Sequence, residues 1–133
     1  MDPRQFGNAR VVMAAAGVRH SVAATAEGGV FTWGDGLDGR LGHNDEQDRL
    51  APGRLAREQF GRAKVVLVAA GGLHTVALTE GGVLWVWGYG FFGQLGLGDF
   101  NKRLVPTRLG VGEAFGAGRW CAWLPAGAST RWR

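Results

Sequence analysis

Cysteine is almost missing from this sequence. The single Cys121 among 133 residues excludes an internal disulfide framework and any site built from several thiolates, and it fits a reducing compartment. Proline is scarce, at four residues, and the glycines follow no G-x-y period, so a collagen-like chain is excluded. Charged residues make up 20% of the chain, below the roughly 25% of an average globular domain. The formal net charge of +4 is spread thinly. Arg54, Arg57, Arg62 and Lys64 form one loose group and Arg131 with Arg133 another, neither being the dense basic patch that nucleic-acid binding uses. Long apolar runs are lacking too. The longest, residues 83–93, is about half the roughly 20 residues that a membrane-crossing helix needs. A run over residues 11–16, behind Arg4 and Arg10, mimics the start of a secretory signal, yet it recurs at 65–70, where no signal acts. It therefore reads as a structural unit, and the expected location is intracellular, cytoplasmic or nuclear.

What is abundant is glycine, 24 of 133 residues against a usual level of roughly 7%. Six tryptophans and seven phenylalanines accompany it, with 46% apolar residues. Such a chain packs large side chains between tight bends and is not a disordered tail.

Sliding the sequence against itself by 54 residues aligns 5–55 with 59–109 without a gap, and 26 of the 51 pairs are identical. The repeated positions include Gly17/Gly71, His20/His74, Trp33/Trp87, Gly34/Gly88, Gly42/Gly96, Asp45/Asp99 and Pro52/Pro106. A period this long and regular marks duplicated structural units. The chain divides into repeat one, about 5–58, repeat two, about 59–112, and an incomplete third, 113–133, all within one domain. Glu113, Phe115 and Gly116 echo Glu58, Phe60 and Gly61 before the register decays.

Inside a repeat the periodicity is that of strands. Residues 64–70 are rich in valine, 74–79 and 83–87 alternate, and 104–109 supply a fourth run. Paired glycines between alternating runs signal hairpins, and Pro106 suits an edge strand, where its missing N–H is not needed. No stretch carries a helical stripe; around 52–61 a single turn is the most expected. The fold class is all-β: a partial β-propeller of two four-stranded antiparallel blades, plus the decayed start of a third.

The runs Ala69-Ala70-Gly71-Gly72-Leu73-His74-Thr75-Val76-Ala77-Leu78, Val83-Leu84-Trp85-Val86-Trp87-Gly88 and Gly93-Gln94-Leu95-Gly96-Leu97-Gly98-Asp99, followed by Val105-Pro106, resemble the repeat of the regulator of chromosome condensation family. The resemblance implies a seven-bladed propeller, of which about two and a quarter repeats are present. Family members serve as exchange factors for a small nuclear GTPase, as histone or DNA binders, as light receptors, or as interaction modules in ubiquitin ligases and kinases. The repeat defines a scaffold and does not choose among these.

No catalytic or metal-binding constellation is legible. Gly34-x-Gly36-x-x-Gly39 and Gly88-x-Gly90-x-x-Gly93 match a dinucleotide fingerprint, but the helix it requires is replaced by a further glycine and a proline-containing segment. No cofactor is expected. His20 and His74 recur with the blade and have no nucleophile or acid aimed at them, so their rings are expected to bond backbone beside the glycine turn. His43, Asn44, Asp45, Glu46 and Asp48 lack a ligand spacing, and Asp45 and Asp99 are expected to accept backbone N–H bonds in their loops. The repeats differ most at Asp35, Leu37, Asp38 and Glu46, which become Tyr89, Phe91, Phe92 and Phe100. Those rings either anchor a protein partner or pack internally.

The expectation is therefore a non-catalytic protein–protein interaction scaffold, not an enzyme, that is a fragment of a larger propeller or completes one with other chains, self-association included. The alternatives are nucleotide exchange on a small GTPase and, third, chromatin or nucleic-acid binding.

Overall fold

Alternating apolar side chains separated by glycine turns produce two antiparallel meanders. The computed structural model describes residues 3–90 and 101–109. Strands β1 (Val11–Ala16), β2 (His20–Thr25), β3 (Val30–Gly34) and β4 (Arg49–Leu55) form the first four-stranded sheet, in that order. Strands β5 (Val65–Ala70), β6 (His74–Thr79), β7 (Leu84–Gly88) and β8 (Arg103–Arg108) form the second, again in chain order. The irregularity between Val11 and Met13 in β1 reappears between Val65 and Leu67 in β5, so the repeat extends to its bulges. The all-β, two-blade architecture expected from the sequence is the one observed.

The hairpin turns are built alike. After β2 the Thr25 hydroxyl accepts the Gly29 N–H at 3.0 Å, and Gly28 turns the chain with a φ of +87°. After β6 the Thr79 hydroxyl donates to the Val83 carbonyl at 3.2 Å, and Gly82 takes a φ of +83°. A positive φ is what glycine, without a Cβ, adopts readily. Among the described residues, helix is limited to short 3-10 turns at Pro3–Phe6, Leu37–Gly39 and Arg57–Phe60, the last lying where a single turn is expected. Both proline-bearing strands, β4 and β8, lie at the outer edge of their sheets. Pro106 falls where the β7–β8 register shifts between Val86 and Gly88, which fits its lack of a backbone donor.

The core is the seam between the blades. Val22, Ala24, Val30 and Leu55 of the first sheet meet Val65, Val68, Ala77 and Trp87 of the second, with Phe60 of the turn before β5. Phe60 lies edge-on to Trp85 at 5.8 Å and to Trp87 at 5.9 Å, an arrangement that aligns ring edges with ring faces. The opposite face of the first sheet carries a second, smaller cluster of Phe6, Ala23 and Phe31 with Trp33 against it.

Candidate interaction site

The long loop between β3 and β4 is a rigid polar structure at one end of the seam. Asp35 accepts the Leu37 N–H at 2.9 Å and Asp48 accepts the Gly36 N–H at 2.9 Å. Glu46 accepts both the Asp38 N–H at 2.9 Å and the Lys102 ammonium at 3.0 Å, tying the loop to the approach to β8 in the other blade. Lys102 and the Asp38 N–H hold the Glu46 carboxyl below its ordinary pKa. The Leu37 N–H, and secondarily the Arg40 guanidinium, lower that of Asp35. Arg40 is buried, donates to the Leu37 carbonyl at 2.8 Å, and faces Asp35 and Asp38 at 3.9 and 3.8 Å.

The glycines that imitate a dinucleotide fingerprint serve this loop. Gly36 lies so close to the Gln47 backbone that a Cβ would collide with it, and Gly39, at φ +75°, lies close enough to the backbone of Arg103 and Leu104 for the same collision; Gly42, outside the fingerprint, takes φ +80° against the Trp87 indole. Three-residue 3-10 geometry at Leu37–Gly39 replaces the helix amino end that a pyrophosphate would need. Asp45 accepts the Gln47 N–H at 3.1 Å and pairs with Arg49 at 3.3 Å. His43 takes its bond from blade packing rather than from the acidic cluster: its Nε2 lies 3.0 Å from the Thr32 hydroxyl. That hydroxyl spends its own proton on the Leu41 carbonyl at 2.7 Å, so His43 is the donor.

His20 meets the backbone of His74, beside the Gly71–Gly72 turn, and adds a side-chain partner. Its Nε2 lies 2.9 Å from the Thr75 hydroxyl in the other blade, and that hydroxyl donates to the Arg40 carbonyl at 2.8 Å. With the Thr75 proton committed, His20 must donate through Nε2–H, which fixes its tautomer. Burial first, and the Arg40 charge second, hold this imidazole down to about 4. Gly17 supplies the space for its ring, as Gly71 does for His74. The bond crosses from one repeat to the next, and a reading of single repeats has no signal for it.

Tyr89 is half-buried and its N–H donates to the Leu73 carbonyl at 2.9 Å. Its companions Phe91, Phe92 and Phe100, with Gly96 and Asp99, lie outside the described residues. So do Cys121 and the Arg131 and Arg133 pair. Among the described residues no helix is long and apolar enough to cross a membrane.

Two stacked meanders of this kind, locked by a histidine–threonine bond and glycine-seated tryptophans, define a piece of a β-propeller. The chain belongs to the regulator of chromosome condensation (RCC1) repeat family: one model of that repeat matches residues 27–78 and 81–120, and a second matches 13–40 and 65–94. It is 44% identical over 100 residues to the ultraviolet-B receptor UVR8 of Arabidopsis thaliana, covering 75% of this chain and 22% of the receptor. The crystal structure of human WBSCR16 superposes with a TM-score of 0.70 at 30% identity, over 76% of this chain and 26% of that one. Prp20 of Saccharomyces cerevisiae, the yeast RCC1, superposes with a TM-score of 0.65 at 26% identity, over 77% and 26%. Prp20 is described with its binding properties to Gsp1p and histones, and again bound to Kap60. The chain thus spans about a quarter of the length of these relatives.

One expectation is corrected by this likeness. With no acid–base pair or nucleophile legible, the sequence is expected to encode a non-enzyme. Similarity to Prp20, the yeast RCC1, overturns that exclusion, since exchange on a small GTPase is the catalytic role the family resemblance carries. Nucleotide exchange works by binding the partner's altered state better than its ground state, so it needs no titrating side chain and leaves none to find.

Proposed function

We propose that this chain contributes two blades to a propeller that binds a small nuclear GTPase and accelerates release of its guanine nucleotide. The observation that carries the reading is the likeness to Prp20, at 26% identity and a TM-score of 0.65, together with the binding to Gsp1p described for that protein. The polar β3–β4 loop supports it physically. Every described carboxylate there is tied to a backbone N–H or a cation, so the loop is preorganised and loses little freedom on meeting a partner. One repeat on, the sequence replaces acids and a leucine of this loop with Tyr89, Phe91, Phe92 and Phe100, aromatic residues of the kind that can anchor a protein partner. Histone binding, also described for Prp20, gains less from this chain, whose net charge of +4 repels a basic partner at long range.

The test is release of labelled GDP from a Gsp1p-type GTPase titrated with the full chain. Faster release, or capture of the nucleotide-free GTPase, is the expected result; unchanged release with no capture overturns the reading. The double variant Phe91→Ser/Phe92→Ser is expected to lose capture at an unchanged unfolding midpoint. A lowered midpoint would instead show that these rings pack internally.

A further inference from the structure

Strands β1 and β5 lie against each other along the seam. Strand β5 is an edge of its sheet, pairing with β6 among the described residues. The outward N–H groups of an edge strand need acceptors from elsewhere. Val68 is 4% exposed, which leaves its N–H little access to water. It donates instead to the Sδ of Met13 in the other blade, at 3.2 Å. A thioether is a weak acceptor, so a soft group stands where a buried donor calls for a strong one. Met13 is half-buried, packs against the seam core, and lies between the exposed Val12 and Ala14. One repeat on, the same position is Leu67, so the shape of the site does not itself demand sulfur.

We propose that Met13 is a site of reversible sulfoxidation, and that oxidation there loosens the hold of one blade on the other. The oxidant is a peroxide small enough to reach a half-buried side chain. A lone pair of Sδ attacks one oxygen of hydrogen peroxide, and the S–O bond forms as the O–O bond breaks. Sulfur gives up two electrons; the other peroxide oxygen takes them and, once protonated, leaves as water. The oxygen gained has no place in the contact as it stands. A hydrogen bond from the Val68 N–H to that oxygen takes about 2.9 Å by itself, and the N-to-S separation is 3.2 Å. The S–O bond does not fit in the remainder. Either β1 and β5 move apart, or the Met13 side chain swings out and strands the N–H, and both weaken the seam. The His20–Thr75 bond and its link to the Arg40 carbonyl cross the same seam, so the β3–β4 loop loses support as the blades loosen. Sulfoxide is reduced back to thioether by dedicated reductases, which makes the change reversible. None of this rests on the GTPase reading.

The experiment exposes the full chain, carrying Cys121→Ser to keep thiol chemistry out, to dilute hydrogen peroxide. Tryptic peptide 11–19 holds Met13 and neither cysteine nor tryptophan, so mass spectrometry reads its gain of one oxygen directly. With Met13 oxidised, the thermal midpoint is expected to fall by about 4 °C, the effect of losing one buried bond in a domain of this size. Exchange of the Val68 amide proton is expected to quicken about fivefold, and treatment with both methionine sulfoxide reductases to restore the midpoint. Met13→Leu keeps the packing and removes the sulfur, so peroxide is expected to leave its midpoint unchanged while Met1 is still oxidised. Met13→Gln, which puts an amide oxygen near the Val68 N–H, is expected to lower the midpoint without peroxide. A Met13 that stays reduced while Met1 is oxidised overturns the proposal. So does an oxidised Met13 with an unchanged midpoint, or a midpoint that the reductases do not restore. Equal loss in the Met13→Leu protein overturns it too, because the damage then lies at another residue.

Discussion

The Thr75 hydroxyl accepts from one blade and donates to its loop, so it is the point where two repeats share a proton inventory. Thr75→Val keeps the volume and leaves a buried His20 N–H and the Arg40 carbonyl without this partner, a loss of about 1–3 kcal/mol to be read from urea unfolding. His20 also sets a pH response. Its folded pKa of about 4 lies below the ordinary 6.5, so between these values the unfolded chain binds the extra proton. The stabilisation is complete above about pH 6.5 and is lost as the pH falls toward 4, on the order of 3 kcal/mol for a shift of this size. Burial lowers His43 too, which adds to the same slope. His20→Gln is expected to flatten the stability profile in this window while leaving the carboxylate-driven loss at lower pH, where Asp35 and Glu46 take up protons.

At the scale of turns and strands, glycines that look interchangeable in the sequence have unequal jobs. Gly42 sits at φ +80° with the Trp87 Nε1 2.9 Å from where a Cβ would stand. Gly42→Ala is expected to cost about 1–3 kcal/mol and to shift tryptophan emission. Gly81 has open space around its missing Cβ and no left-handed φ, so Gly81→Ala should be neutral or stabilise by about 0.4–1 kcal/mol. Differential scanning calorimetry on the pair separates steric demand from chain entropy. The strands themselves are legible because alternation and paired glycines are local signals: the expected run 74–79 coincides with β6, and 64–70, 83–87 and 104–109 differ from β5, β7 and β8 by no more than one residue at either end. The His20 bond is not legible at this scale, since its partner lies 55 residues away.

For the whole molecule, stability resides in blade-on-blade burial, which makes identical residues unequal. Trp87 is fully buried in the seam, whereas Trp33, its counterpart, is half-exposed on the opposite face of the first sheet. Trp87→Ala is expected to cost about 3–5 kcal/mol and to uncouple the sheets, seen as broadened unfolding; Trp33→Ala should cost much less. The sequence by itself determined the number of strands, their order and the 54-residue repeat, because each follows from side-chain alternation and turn residues a few positions apart. Only the tertiary structure decided which faces meet, that His20 reaches Thr75, and which of two equal tryptophans is covered. Burial and hydrogen-bond partnership belong to pairs of surfaces, and a repeated sequence writes the same surface twice without saying which copy has a neighbour.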